Sequence, residues 1–195
     1  MLWNIKELSG YDVKATDGEV GKVHDIIFDE RDWAIHFLIV DLGDWVLDTG
    51  EWAPGRQVLV SSTAFGQPNI GVRLFPVTLT KAQVEHNPSV EIIRQDGSDS
   101  RFYSMTSILG CHIQARDGEI GYAGDIIIDD ERWKVRFIVG NTGSWWPGKK
   151  VLVAPIWINL IALDEVKIYT KLSQETIQNS SEFNASTILD HSLML

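Results

Sequence analysis

The chain has 195 residues, of which 44% are hydrophobic and 23% are charged, and its formal net charge at pH 7 is −10. This composition is typical of folded globular domains, and the length suits two small ones. Phosphate binding needs clustered Lys and Arg, so the acidic balance argues against nucleic acid as a direct partner. The single cysteine, Cys111, excludes an internal disulfide and favours a reducing, cytoplasmic compartment.

The sequence predicts no membrane span. Residues 1–10 lack a basic region followed by an apolar run, so we expect no targeting segment there. The longest apolar stretch, residues 156–163, is interrupted by Asn159. It is far shorter than the ~20 apolar residues that a helix needs to cross a bilayer.

An internal repeat dominates the chain. Residues 10–39 return at residues 110–139 without a gap, so that GYDVKATDGEVG corresponds to GCHIQARDGEIG. The segment DIIFD then returns as DIIID, and a run led by tryptophan follows in both copies. A repeat of this length indicates one small folded unit that was duplicated, because solenoid arrays use many shorter repeats.

Each copy is predicted to form β-structure. Asp17 and Gly18, like Asp117 and Gly118, stand between two apolar runs, and Asp-Gly is a strong signal for a tight hairpin turn. Glycine tolerates the positive φ that such a turn needs, and Asp hydrogen-bonds its own backbone there. Gly21 lies inside the next run, where glycine indicates a bulge or a sharp bend. Further strands are expected at 33–40, 58–60 and 72–75, and at 133–140, 151–153 and 166–169.

The order of these motifs resembles a known family. The pattern G-x-x-V/I-x-A-x-D-G-E-x-G, followed by D-I-I-x-D and by W-x-V/I-x-F, resembles the PRC-barrel domain over residues 1–88 and again over 105–178. That domain occurs in the cytoplasmic part of the photosynthetic reaction-centre H subunit and in the C-terminal half of the RimM ribosome maturation factor. The resemblance implies small, strongly bent β-barrels that contact other macromolecules and share no catalytic residues.

The predicted fold is mainly β, with two tandem, small, bent antiparallel PRC-type β-barrels that are each followed by a short helix. Thr80 is expected to cap the first helix in a capping box with Gln83, and Ser173 to cap the second. The expected domains are 1–88 and 105–178, joined by a polar, exposed linker at 89–104. Residues 179–195 are expected to form a flexible tail, with docking of its apolar end into a groove as the alternative.

Motifs for catalysis, cofactors and metals are absent from the sequence. It contains no dinucleotide-binding glycine motif, no Walker A pattern, no nucleophile elbow, and no HExxH or CxxC spacing. His24 and His36 could approach each other on adjacent strands, but their counterparts are Gly124 and Arg136. We therefore expect no catalytic, cofactor-binding or metal-binding residues.

Acidic residues are the only polar group that both copies keep. A carboxylate site for a hard cation is conceivable. Structural roles explain them better, because Asp side chains accept hydrogen bonds from backbone N–H groups at turns and bends. The repeated acids are Asp17, Glu19, Asp25 and Asp29, with Asp117, Glu119, Asp125 and Asp129.

Tryptophan is the remaining unusual feature, with eight residues in the chain. Trp33 and Trp133 begin equivalent predicted strands and are expected in the core. Four others lie in predicted loops, where they could either close the barrel ends or form an interaction surface, since tryptophan is enriched at interface hot spots. These candidate surface residues are Trp45, Trp52, Trp145 and Trp146.

The function expected from the sequence is that of a non-enzymatic protein-interaction or assembly module. Its partner would be another protein or a second copy of the chain, as in a homodimer. Two alternatives remain open. One is a regulatory protein that binds a small ligand or metal between the barrels, and the other is a factor that resembles the ribosome-maturation protein.

Overall fold

A computed structural model describes residues 1–43, 45–46, 52–53, 55–91, 101–142 and 149–179. The chain divides into two compact units. The first unit is Glu7–Ser104, and the second unit comprises Met1–Lys6 and Met105–Leu195. The predicted fold class is confirmed, because each unit is built around one β-sheet with few short helices.

Within the described residues, the strands in chain order are β1 (Leu2–Asn4), β2 (Asp12–Ala15), β3 (Gly18–Asp29), β4 (Ile35–Asp41), β5 (Trp45–Val46), β6 (Trp52–Ala53), β7 (Gln57–Ser61), β8 (Leu74–Pro76), β9 (Phe102–Ser104), β10 (His112–Gln114), β11 (Glu119–Asp129), β12 (Lys134–Asn141), β13 (Lys150–Val153), β14 (Ile158–Ala162) and β15 (Lys167–Thr170). The helices are α1 (Ile5–Leu8), α2 (Lys81–Glu85), α3 (Met105–Ile108) and α4 (Gln174–Gln178), with 3-10 turns at Ser62–Ala64 and Pro155–Trp157.

The two sheets have matching strand orders. The first unit has the order β7-β4-β3-β2-β8, and the second has β13-β12-β11-β10-β15 with β14 added at the end. Most pairs are antiparallel, but β2 with β8 and β10 with β15 are parallel. Neither sheet closes into the expected barrel: within the described strands, β7 and β8 remain the two ends of the first sheet.

The bulge predicted at Gly21 is present in both units. Val13 pairs with Gly21, but Lys14 pairs with Glu19, so Val20 is the extra residue on β3. The same shift occurs in β11 beside Gly121. A Cβ atom at Gly21 would stand 2.3 Å from the carbonyl oxygen of Asp41, so the close approach of β4 requires glycine here.

The core follows from apolar residues on both faces of the central strands. On one face, Ile26, Leu38 and Phe75 are fully buried in the first unit. The other face carries a smaller cluster of Ile27, Ile39, Leu59 and Val90, against which Phe37 and Phe102 pack. The second unit repeats this cluster with Ile127, Val139 and Leu152 and with Leu2 and Phe137 packed against it. Both faces of the sheet centre are therefore covered, which explains the near-continuous apolar runs.

The two units exchange strands. β1 precedes the first repeat copy in the chain, yet it pairs with β11 of the second unit, with Trp3 opposite Ile128. β9 precedes the second copy and pairs with β3 of the first unit, with Tyr103 opposite Phe28. Both pairings have the same register at an offset of 100 residues, so the exchange is reciprocal. The equivalence of the copies thus begins at Leu2, upstream of the repeat recognised in the sequence.

The predicted linker at 89–104 differs from the structure, because residues near both of its ends belong to the first unit. Val90 is buried in the first unit's cluster, and residues 102–104 form β9, whereas 92–100 lie outside the described residues. The polar composition of residues 95–100 suggested one exposed segment over the whole of 89–104. Short apolar pieces on either side of that polar run instead belong to the first unit.

The predicted helix caps are confirmed. Thr80 accepts a hydrogen bond from the Gln83 backbone N–H, and Gln83 Oε1 accepts from the Thr80 N–H at 2.9 Å, which completes a capping box on α2. Ser173 caps α4 by accepting from the Thr176 N–H at 3.2 Å. Trp33 and Trp133 are not strand residues in the core as expected. Both are half-buried in turns with left-handed φ values of 59° and 49°.

Candidate functional site

The predicted turn acids fasten the helices to the sheets. Asp17 Oδ1 accepts a hydrogen bond from the backbone N–H of Lys81, the first residue of α2, at 2.7 Å. Asp117 Oδ1 accepts the equivalent bond from Gln174 of α4 at 2.8 Å. These bonds satisfy N–H groups that have no partner within the helix. The sequence placed the acids in a turn, but it gave no sign that they reach residues 57 to 64 positions away.

The two turn glycines differ. Gly18 has a φ of 144°, so the positive value expected for the hairpin is present there. Gly118 is not among the residues with positive φ. A Cβ atom at Gly118 would instead stand 2.7 Å from the Gln174 amide, so glycine leaves room for that side chain over the turn.

Asp29 and Asp129 are equivalent buried acids, and each is held by an arginine of its own unit. The Arg31 guanidinium and backbone N–H both donate to Asp29. These side-chain hydrogen bonds are the largest cause that lowers the pKa of Asp29 from 3.8 to about 2, against the opposing effect of burial. The carboxylate is therefore ionised and engaged, which suits a structural role better than acid–base chemistry.

In the second unit the arginine comes from a different position. Arg136 lies on β12, where the first unit has His36, and its Nε and Nη2 donate to Asp129 Oδ2 at 3.1 and 2.6 Å. Burial would raise the pKa of Asp129, but the hydrogen bonds and charge of Arg136, together with the backbone N–H groups of Glu131 and Arg132, lower it. Both carboxylates therefore keep an arginine although their neighbours have changed.

One possible metal-ligand group arises in the first unit, at a place where the sequence predicted none. Asp29, Asp32 and His36 bring one ligand atom each within 4.8 Å of one another. The Asp29 carboxylate is already engaged by Arg31. In the second unit Arg132 and Arg136 replace Asp32 and His36. The group is therefore not a property of the duplicated unit.

A groove of about 510 Å³ opens in the first unit beside the Gly21 bulge. Its charged side chains have internal partners: Lys22 donates to Asp12, and Asp41 Oδ1 accepts from the Gly43 N–H at 2.9 Å. Among the described residues that line it, the groove thus brings together no convergent set of charged groups. Its lining consists of Ser9, Gly10, Gly21, Lys22, Val23, His24, Asp41, Leu42, Gly43 and Gly55.

The structure describes the four loop tryptophans only in part. Trp145 and Trp146 lie outside the described residues. The backbone of Trp45 and Trp52 is described, and it forms the short antiparallel pair β5–β6 rather than an irregular loop. A surface made of the four indole rings therefore stays a prediction.

An exposed apolar surface lies in the second unit around β14, from the 3-10 turn before this strand to the turn after it. Ile156 is 76% exposed and Leu160 is 50% exposed. Leu163 and Val166 extend the surface around the turn to β15. We call these four residues the edge surface, because β14 is the last of the described strands in its sheet. From the sequence alone, this stretch is an apolar run that is too short to span a membrane.

The first unit keeps only the part of this surface that lies in the turn. The bridges Phe65–Val77 and Asn69–Leu74 follow the course of β14 and β15 at an offset of 93 residues, but they form no continuous strand. At this offset, Ile156 corresponds to Thr63 and Leu160 to Gln67. The turn keeps exposed apolar residues in both units, with Ile70 and Val72 in the first. The apolar strand edge is therefore specific to the second unit and is not required by the fold.

Gly66 and Pro68 explain the absence of a continuous strand in the first unit. A Cβ atom at Gly66 would stand 2.9 Å from the Pro76 ring, and Pro68 has no N–H to donate to a sheet. Natural sheets commonly use proline and short strands to prevent pairing with other chains. The second unit has Asn159 and Ile161 at these positions, and β14 is a continuous strand there with a register irregularity between Ile158 and Leu160.

Comparison with known proteins agrees with the geometry of the first unit. Residues 4–84 match the PRC-barrel domain family, so a PRC-barrel domain is found there. None of the curated proteins compared with the chain matches it. In the part of the chain that the structure describes, no helix is long and apolar enough to cross a membrane.

Proposed function

We propose that the protein is a non-enzymatic, cytoplasmic interaction or assembly module built of two PRC-barrel domains, and that the edge surface of the second unit contacts a protein partner. The observation that carries the proposal is the group of exposed apolar side chains around β14, since exposed apolar patches mark sites of protein interaction.

The internal repeat supports a second PRC-barrel domain. The five strands β13-β12-β11-β10-β15 follow the same order as β7-β4-β3-β2-β8 of the domain that the family match covers. The bulges beside Gly21 and Gly121 and the two exchanged strands keep one register at an offset of 100 residues. One duplicated fold with two different surfaces suits a module that holds components together.

The acids that both copies keep support a role without catalysis. Asp29 and Asp129 are engaged by arginines, and Asp17 and Asp117 accept bonds from helix N–H groups. Each therefore has a structural task that explains its repetition. The predicted surface of Trp45, Trp52, Trp145 and Trp146 remains a second proposed contact for the same function.

Affinity purification from the native organism tests the proposal. The double change Ile156→Ser with Leu160→Ser should lose a protein that the unchanged chain retains. The matched control changes the equivalent residues of the first unit, Thr63→Ser with Gln67→Ser, and should retain it. If all three proteins retain the same partners, the edge surface is not the contact. A metabolite or metal bound to the protein in native mass spectrometry would instead favour the ligand-binding alternative.

A further inference from the structure

The ends of β3 and β11 pair with strands from elsewhere in the chain. β2 pairs with residues 18–22 of β3, and β4 occupies the opposite flank of β3. Beyond the stretch that β2 covers, its flank continues with β9 at residues 27–29, and β11 has β1 in the same place at residues 127–129. These six residues are at most 3% exposed. Because buried backbone N–H and C=O groups need partners, each donated strand completes its sheet where a missing strand would be costly.

The two places bind their strands in the same way. The Glu30 backbone N–H donates to the Arg101 carbonyl oxygen at 3.0 Å, just before β9. The Asp130 N–H donates to the Met1 carbonyl oxygen at 3.2 Å, just before β1. Both donated strands are followed by a helical turn, α1 or α3, and both read apolar, aromatic, polar in sequence. The two strands are Leu2-Trp3-Asn4 and Phe102-Tyr103-Ser104.

Side chains of each sheet select the aromatic residue of the donated strand. Trp3 is buried, and its Nε1–H donates to buried Asp130 at 2.8 Å. In the first unit, the Tyr103 ring lies against Phe28, with ring centroids 5.9 Å apart. A buried aromatic residue contributes a large apolar area, and its polar tip needs a partner of the right kind. The sites therefore favour this strand pattern over other extended segments.

We infer that the flanks of β3 and β11 are strand-binding sites that keep the two halves of the chain together without the segment that joins them. β1 precedes the first copy but completes the sheet of the second, and β9 does the reverse. Each half thus binds the other as a peptide ligand, by adding a strand to a sheet. The ligand is an extended peptide with an apolar, an aromatic and a polar residue in succession. This inference does not rest on the edge surface.

The two sites strengthen each other. When one donated strand leaves its sheet, the other still joins the halves, so the first strand rebinds within the same complex. Such rebinding occurs at an effective concentration on the order of 1 mM, and it can raise the overall affinity about 10²–10⁴-fold above that of one strand. We therefore expect the halves to stay paired at micromolar concentration although each strand has three residues.

A full-length chain with a glycine- and serine-flanked protease site inserted between Gly97 and Ser98 tests the inference. After complete cleavage, verified on a denaturing gel, the halves should elute together in size-exclusion chromatography. Trp3→Ser with Tyr103→Ser removes the aromatic residue from both donated strands, and should weaken the pairing at least ~10-fold, as expected for hot-spot residues. The control Tyr122→Ser changes a half-exposed aromatic residue that pairs with β10 and β12, and should leave the halves paired.

A synthetic peptide of residues 1–9, MLWNIKELS, gives a second measurement on the unchanged sequence, which is independent of whether a variant folds. In excess, it should compete with β1 for β11 and speed the separation of the cleaved halves, whereas a scrambled peptide should not. Folded halves that separate at once after cleavage would overturn the inference, because the joining segment would then be what keeps them together. Halves that stay paired despite both aromatic changes and excess peptide would also overturn it, because other contacts would then join them.

Discussion

The first and second units carry equivalent residues in their cores and differ along one edge. Ile26 and Ile126, like Leu38 and Ile138, are buried at matching positions. Gln67 and Leu160 occupy the same place on the sheet edge but differ in polarity. Core positions constrain each other by packing, whereas an edge side chain is constrained only by what it contacts. A duplicated fold can therefore acquire a new surface without disturbing its interior.

The arginine–carboxylate pairs show the same contrast within a buried site. Asp29 and Asp129 are kept, but the arginine moves from the turn to the neighbouring strand. A buried carboxylate without a partner is strongly destabilising, so losing one arginine requires another within reach. The copies thus preserve the charge pair and not the residue that provides it.

The largest expected effect concerns the exchanged strands. Trp3→Ala should lower the stability of the second unit by about 3–5 kcal/mol, as is typical for truncating a buried tryptophan. The change also removes the Nε1–H that donates to buried Asp130 at 2.8 Å. Hydrogen exchange followed by mass spectrometry should show faster exchange in β11 than in β3.

The counterpart Tyr103→Ala should reverse the pattern with a smaller effect, because Tyr103 is only half-buried. Exchange should then accelerate in β3, with which β9 pairs. If both variants accelerate exchange equally in both strands, the units unfold together and the assignment of each strand to one unit is unsupported.

The second prediction compares the bulge glycines. Gly121→Ala should destabilise the protein by about 3 kcal/mol, because its Cβ would stand 1.9 Å from the Asn141 carbonyl oxygen and its φ is 149°. Gly21→Ala meets a similar contact at 2.3 Å but no positive φ, so it should be less harmful. Gly110→Ala is the control, since it has positive φ and open space. Urea unfolding that ranks Gly110→Ala with Gly121→Ala would rule out the close strand approach as the cause.

The sequence predicted whatever depends on local chemistry. The Gly21 bulge and the Thr80–Gln83 capping box were predicted because a single residue or a short spacing determines them. The exchanged strands were missed because pairing between residues 2–4 and 127–129 leaves no local pattern. A comparison of Leu2-Trp3-Asn4 with Phe102-Tyr103-Ser104 at the repeat offset was the one available signal.

The candidate site was missed for a related reason. Residues 158–162 are apolar at four of five positions, which is equally consistent with a buried strand and an exposed edge. Only the strand order shows that β14 stands at the end of its sheet among the described strands. Aligning the two edges at an offset of 93 residues places Asn159 and Ile161 opposite Gly66 and Pro68, and this difference between the units indicates which of them forms a continuous strand.

The third prediction tests the two arginine pairs. Asp29→Asn and Asp129→Asn should each lower stability at pH 7 by about 1.5–3 kcal/mol, the range for hydrogen bonds to charged groups. The loss should be larger for Asp129→Asn, because Arg136 is 30% exposed and Arg31 is 58% exposed, so Arg136 is the harder of the two to leave unpaired. Urea unfolding of the two variants measures the difference.

The pH dependence of that loss follows from the lowered pKa. Asp29 binds its proton more weakly in the folded protein than in the unfolded chain, because its pKa is lowered from 3.8 to about 2. Its contribution to stability is therefore fully present above pH 3.8 and is lost as the pH falls towards about 2. The unchanged protein and Asp29→Asn should therefore converge in stability over this interval. A gap that persists at pH 2 would mean that the hydrogen-bond geometry, and not the charge, stabilises the turn.

The smallest expected effect concerns the helix caps. Thr80→Ala should lower stability by about 1 kcal/mol, because it leaves the Gln83 backbone N–H without its acceptor and breaks a capping box whose second half is the Gln83 bond to the Thr80 N–H. Ser173→Ala should lower stability less, because Ser173 is not part of a capping box: Thr176, which stands where Gln83 stands in α2, gives no reciprocal bond to the backbone of Ser173. Asp117 also still accepts a hydrogen bond from the first residue of α4. Thr80→Ser, which retains the acceptor, is the control. If urea unfolding shows equal losses of stability for Thr80→Ala and Ser173→Ala, the aspartates, and not the caps, determine where these helices begin. In that case Asp17→Asn and Asp117→Asn should each lower stability more than either cap variant does.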